Sequence, residues 1–150
     1  MLESVRTIVV PVDFSPASET LLREAAHLAR LFGADMHLLH IYQDVFSVLS
    51  MRTFDLNEDV VEQVMIKELR AKCDELLSAV ETDVPISVVM RKGETADEIL
   101  DYIDEIKADL VVVATNARSG LEEFFIGSIA QRIVRSAPCP VVTMRAAALG

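Results

Sequence analysis

The sequence predicts an α/β fold of three layers, in which a five-stranded parallel sheet carries helices on both faces. Two observations support this. Short aliphatic runs alternate with stretches of helical apolar spacing, in the order β-α-β-α-β-α-β-α-β and without internal repeat. The aliphatic runs are unbroken, as in strands buried on both sides, and such strands need right-handed helical crossovers to cover them. Composition agrees: the 150 residues are 51% hydrophobic, with 5% aromatic. That length fits one domain over residues 1–150 and suffices for a sizeable core.

The elements follow in order. Residues 7–12 (TIVVPV) form the first strand, and Pro11, which cannot donate to a ladder, belongs near its end. Asp13 then sits in the turn before a helix that Ser15 caps and Pro16 opens. Leu21, Ala25, Leu28, Ala29 and Phe32 form that helix's buried face, and Gly33 stops it. Residues 36–41 are the second strand. His37 and His40 lie an odd number apart, so they face opposite sides and cannot share a metal. The segment 42–56 is unpatterned; it reads as a cover over a site, an oligomer contact or an irregular packed segment.

A long helix runs from Asn57 to about Val80, with Val60, Val61, Val64, Leu69, Leu76 and Leu77 on its apolar side. Residues 86–90 are the third strand and Gly93 breaks the chain. Thr95 and Glu98 form a capping box for a helix that buries Ile99, Leu100 and Ile103. Residues 110–114 are the fourth strand, 128–136 the fourth helix and 141–144 the fifth strand.

Composition excludes several functions. The formal net charge of -10 repels phosphate backbones and anionic lipid, so neither nucleic acid nor a membrane surface is an expected partner. No apolar run is long enough to span a bilayer, and no signal peptide is recognisable, which gives a cytoplasmic expectation. Cys73 and Cys139 form no disulfide framework or metal cluster, and both read as small buried apolar residues.

The most informative stretch is 109–144, DLVVVATNARSGLEEFFIGSIAQRIVRSAPCPVVTM. A strand, a polar loop and a helix opening at Gly127-Ser128 can form an anion pocket, because the first helical N–H groups lack internal acceptors and the helix dipole favours negative charge there. Gly127 permits close backbone approach, and Ser128 offers a hydroxyl at the cap. Gly-Ser is equally an ordinary helix start.

The same stretch resembles the universal stress protein family. Nucleotide-binding members carry Gly-x2-Gly-x9-Gly-Ser/Thr here, followed by Ala-Pro-Cys-Pro-Val. Gly127 and Ser128 match the end of the signature, and residues 137–141 match the ending. The first two glycine positions fall on Ala114 and Ala117. The resemblance covers essentially the whole chain. It implies the adenine nucleotide alpha hydrolase-like arrangement, strand order 3-2-1-4-5, in which strands 1 and 4 meet at the topological switch point where such sheets hold ligands. It also implies a cytoplasmic homodimer, pairing through the Val141–Met144 edge strand, that binds ATP or a related adenine nucleotide with Mg²⁺. Its site residues would be Pro11, Val12, Asp13, Ile41, Ala114, Ala117, Arg118, Gly127, Ser128 and Ile129. Ile41 would pack on the adenine, and Asp13 would reach the ribose or the metal.

The residues themselves leave alternatives open. Asp13 in a loop also suits plain backbone capping. Alanine at a signature glycine costs roughly 1–3 kcal/mol if the site needs positive φ, and almost nothing if it does not. Glu122 and Glu123 would oppose a triphosphate, whereas Arg118 could reach phosphate or lie in solvent. No Walker loop, nucleophile elbow or response-regulator acidic pair is present, so no catalytic residue is assigned beyond a slow ATP hydrolase at most. The readings that remain are a nucleotide-binding switch and a dimeric interaction module without nucleotide.

Overall fold

A computed structural model of the chain describes residues 4–44, 57–115 and 127–145. The elements are β1 (Thr7–Pro11), α1 (Ser18–Phe32), β2 (Asp35–Tyr42), α2 (Glu58–Ala79), β3 (Ile86–Lys92), α3 (Thr95–Ile106), β4 (Leu110–Thr115), α4 (Ser128–Ser136) and β5 (Val141–Arg145). The strands form one parallel sheet in the order β3-β2-β1-β4-β5.

Strand geometry divides the core in two. Successive side chains point to opposite faces, so Ile8 and Val10 of β1 join one cluster and Val9 the other. The first cluster adds Met36, Leu38, Leu110 and Val112, covered by Leu22, Ala25 and Ala29 of α1 and Cys73 of α2. The second adds Leu39, Ile41, Val111 and Val113, covered by Ile99 and Ile103 of α3 and Ala130 and Ile133 of α4. The chain leaves β1 toward one face and β4 toward the other. The two strands are neighbours, and their parting opens a crevice at the sheet's carboxyl edge. At the opposite edge, the Asp109 carboxylate accepts the N–H groups of Arg6 (2.9 Å) and Thr7 (3.0 Å), tying the starts of β4 and β1.

Several boundaries differ from expectation. Helix α1 begins at Ser18, not Pro16; Ala17 holds the cap position in helical conformation with no side-chain cap. Ser15 therefore does not cap it. Its N–H donates instead to Asp13 Oδ1 at 2.9 Å, and its carbonyl accepts from Ser18 N–H at 3.0 Å. Gly33 ends α1 as expected, at φ 67, the left-handed conformation glycine takes freely. The capping box on α3 is replaced by a different cap: Glu94 holds the position and its carboxylate accepts Asp97 N–H at 2.7 Å, leaving Thr95 inside the helix. Glu98 turns to Arg91 instead, at 2.9 Å. Gly93 stands at φ 150, a conformation L side chains rarely adopt, and a Cβ there would also lie 2.6 Å from the Glu98 side chain.

The expected apolar side of α2 is only partly buried. Cys73 is fully enclosed and Leu76 and Leu77 pack on the core, but Val60 and Val64 are 55% and 54% exposed. Length supplies the reason. The 22-residue helix spans roughly 33 Å at its usual rise. The seven residues of β3 span roughly 23 Å. The sheet is too short to cover the whole helix.

His37 and His40 face opposite sides, as their spacing requires. His37 Nδ1 meets the Tyr102 hydroxyl at 2.5 Å on the α3 side, and His40 Nδ1 meets the Val12 carbonyl at 2.8 Å on the α1 side. Burial lowers the His37 pKa below its ordinary 6.5, against a smaller opposing pull from Asp35. The folded state therefore binds this proton less readily than the unfolded chain. The stability His37 contributes is intact above pH 6.5 and is lost as pH falls through the lower folded value. Melting temperatures measured from pH 7.5 down to 5 should fall, with a shallower fall in His37→Gln; equal slopes would refute this assignment. Both cysteines are free; Cys73 is buried as expected while Cys139 is only partly so, and burial pushes both thiols up.

Candidate functional site

The crevice between β1 and β4 is a cavity of about 440 Å³. Eight of the residues expected there line it: Pro11, Val12, Asp13, Ile41, Ala114, Gly127, Ser128 and Ile129. The other two, Ala117 and Arg118, lie outside the described residues, as do Glu122, Glu123 and most of the 42–56 segment.

One wall is the exit of β1. Strand bonding stops at Pro11, though Val12 N–H still donates to the Leu39 carbonyl at 2.9 Å. Asp13 follows, exposed at the mouth. Its Oδ1 accepts Ser15 N–H and, at 3.4 Å, the hydroxyl of the buried Ser18. Phe14 stands at φ 61, which costs a non-glycine residue roughly 1–3 kcal/mol.

The floor is β2 and β4. Alternate residues of β2 direct their backbone groups to opposite neighbours. Leu39 bonds toward β1, and Tyr42 accepts Gly93 N–H on the β3 side at 3.0 Å. Ile41 therefore directs its N–H and C=O toward β1, past the point where that strand has ended. These groups lie beside an apolar floor of Leu39, Val113 and Ala114. Ala114 lies within β4, and the positive-φ residues other than glycine are Phe14 and Lys107 among the described residues. Alanine at the first signature position is thus free of backbone strain, and the residue both lines the cavity and packs against the first core cluster.

The opposite wall is the start of α4. Gly127 is the N-cap in extended conformation and makes no side-chain cap bond. Ser128 is the first helical residue, not the cap, so its hydroxyl is not spent on capping. The helix's first amides lack internal acceptors and give this wall a positive pole. Ala130 and Ile133 anchor the helix on the sheet. Outside, Arg132 pairs with Glu94 (3.2 Å) and with Asp97, linking α4 to the first turn of α3.

Part of the lining carries no local sequence signal. Ser18 was hidden by the misplaced start of α1. Thr95, Ile99 and Ile133 reach the cavity because α3 and α4 pack side by side on one face, a proximity that no local pattern records. His40 was visible as a residue, but its bond to Val12 was not.

These features define a class: a doubly wound α/β protein with an open crevice at its topological switch point, walled by a loop carboxylate and a helix N-terminus. The chain belongs to the universal stress protein family, whose model matches residues 4–145. Universal stress protein MJ0531 of Methanocaldococcus jannaschii is 29% identical over 140 residues, 93% of this chain and 82% of that protein. Among solved structures, a universal stress protein in complex with cAMP superposes with a TM-score of 0.65 at 22% identity, covering 96% of this chain and 99% of its own. The universal stress protein of Archaeoglobus fulgidus in complex with dAMP gives 0.62 at 24%, covering 92% and 96%.

Proposed function

We propose that the protein is a cytoplasmic stress-response module that binds ATP or a related adenine nucleotide in this crevice and works as a homodimer. The observation that carries the reading is the convergence of Asp13 and Gly127–Ser128, from opposite ends of the chain, on one cavity. The parts match a nucleotide's chemistry. The outward N–H and C=O of Ile41 suit the edge of a base, the aliphatic floor suits its faces, and the amides of α4 suit a phosphate. The cAMP- and dAMP-bound relatives point to the same ligand class.

Magnesium fits in one way. Among the described residues no cluster of three His, Cys, Asp or Glu side chains could hold a metal unaided. Mg²⁺ commonly takes one or two carboxylates and completes its shell with phosphate oxygens and water. Asp13 would be the protein's ligand, and the ion would neutralise phosphate charge beside an exposed carboxylate. The second reading, a dimeric interaction module without nucleotide, is favoured by alanine at position 117, the second signature glycine.

Titration calorimetry and thermal melts with ATP–Mg²⁺ and with AMP test the first reading. Nucleotide at a hundredfold over Kd should stabilise by about 2.7 kcal/mol. For a chain of this size that raises Tm by roughly 5–10 °C. Asp13→Ala should weaken the Mg²⁺ complex more than free AMP. A flat titration and unchanged Tm at millimolar nucleotide leave only the second reading.

A further inference from the structure

The turn that presents Asp13 is held by side chains from three separate elements. Phe14 sits in the left-handed region, where a bulky residue persists only if its surroundings over-determine it. Its ring centroid lies 4.4 Å from that of His40 in β2, with the planes tilted by 43°. The Lys72 ammonium of α2 lies 5.7 Å from the same ring centroid, within cation–π range. His40 has a second contact, its Nδ1 to the Val12 carbonyl. A carbonyl can only accept, so this nitrogen carries the proton. Val12 is thus pinned on one side of Asp13 and Phe14 on the other. Between them, the Asp13 carboxylate accepts Ser15 N–H and the Ser18 hydroxyl.

We infer that Phe14 and His40 are positioning residues of the crevice: the ring contact and the Val12 bond together set where the Asp13 carboxylate stands, and Lys72 ties that setting to α2. The inference rests on the reading that the crevice takes a nucleotide, and it concerns geometry that exists without one. Glycine would take the same φ without steric penalty. What phenylalanine adds is the ring, which glycine cannot supply, and the ring holds the turn against β2. Asp13 in a glycine turn would be free to swing.

Two readouts keep this inference separate from the nucleotide reading. In the ligand-free protein, the Ser15 amide resonance reports its bond to Asp13. Phe14→Gly and His40→Leu should move it toward its unbonded position. Phe14→Tyr, which keeps the ring, and His40→Asn, whose amide can still donate to Val12, should move it less. A Ser15 resonance unmoved in Phe14→Gly overturns the inference, whatever the protein binds. Titration with ATP–Mg²⁺ is the second readout. Phe14→Gly should lower affinity about tenfold, equivalent to about 1.4 kcal/mol. Its melting temperature should change little, because relief of the positive φ offsets loss of a half-buried ring. Phe14→Asn, which tolerates the same φ, should show the same loss, and Phe14→Tyr should restore binding. Wild-type affinity in both Phe14→Gly and Phe14→Asn overturns the inference. A wild-type protein that binds no nucleotide overturns the functional reading alone, and the Ser15 resonance then decides this one.

Discussion

Replacing Ile133 with alanine is expected to destabilise the protein by roughly 2–5 kcal/mol, the range for a buried isoleucine cut back to its Cβ. For a chain of 150 residues this lowers Tm by on the order of 10 °C. Helix α4 has nine residues, too few to stand alone in water. It is helical because Ala130 and Ile133 seat it on the sheet, and Ile133 is the larger, 1% exposed. Ile133 also lines the cavity, so its loss should blunt any nucleotide response as well. Val134, its neighbour on the solvent side at 47% exposure, is the control: Val134→Ala should stay within about 0.5 kcal/mol. Denaturant unfolding followed by circular dichroism measures both. A change below about 1 kcal/mol in Ile133→Ala would mean that α4 is held chiefly by Arg132 and its partners on α3.

Thr143→Pro is expected to convert the proposed homodimer to monomer while leaving the fold intact. Strand β5 ends the sheet and pairs with β4 alone among the described strands. Its backbone groups alternate. Val111 N–H donates to the Pro140 carbonyl, and the Thr115 hydroxyl donates to the Met144 carbonyl, so even-numbered residues of this stretch face β4. Thr143 N–H therefore points to the open edge. Proline there removes a donor from the open edge only, and edge positions are where strands tolerate it. A second copy pairing across a two-fold axis would lose bonds at its centre. Light scattering on a sizing column should report about twice 16.6 kDa for the natural protein and a single copy for the variant. An unchanged assembly in the variant, or a monomer in the natural protein, rules this edge out as the interface.

The strands were legible because their signal is local. A run such as TIVVPV, aliphatic at every position, says that both faces are covered whatever covers them. The Gly33 stop was legible for the same reason, since left-handed φ at a helix end is a property of one residue. The caps were less so. Ser15 and Thr95 have cap chemistry, but Ser18 N–H pairs with the Ser15 carbonyl, and Glu94, one residue before Thr95, holds the cap position and accepts Asp97 N–H. Capping preference is worth about 1 kcal/mol, small enough for a neighbouring carboxylate to redirect. The apolar residues of α2 failed for a different reason: periodicity records which side of a helix is apolar, and not whether the sheet beneath is long enough to cover it.

The site divides along the same line. Asp13, Gly127 and Ser128 could be singled out because turn and helix-start chemistry is written in short motifs. Ala114 could be named but not judged, because the cost of its methyl depends on φ, and only the folded chain shows an extended strand there. The bonds from Asp109 to the start of β1, the His40 bond to Val12 and the contact of Phe14 with His40 join residues distant in sequence. None leaves a local trace.

From residue order alone it follows that this chain alternates strands and helices, and that two of its turns carry ligand-type chemistry. Tertiary structure decided how those turns are held, which amides each carboxylate satisfies and how much of each apolar face is covered. Local pattern follows from the preferences of neighbouring residues. Contact between elements follows from lengths and packing that every element shares in setting.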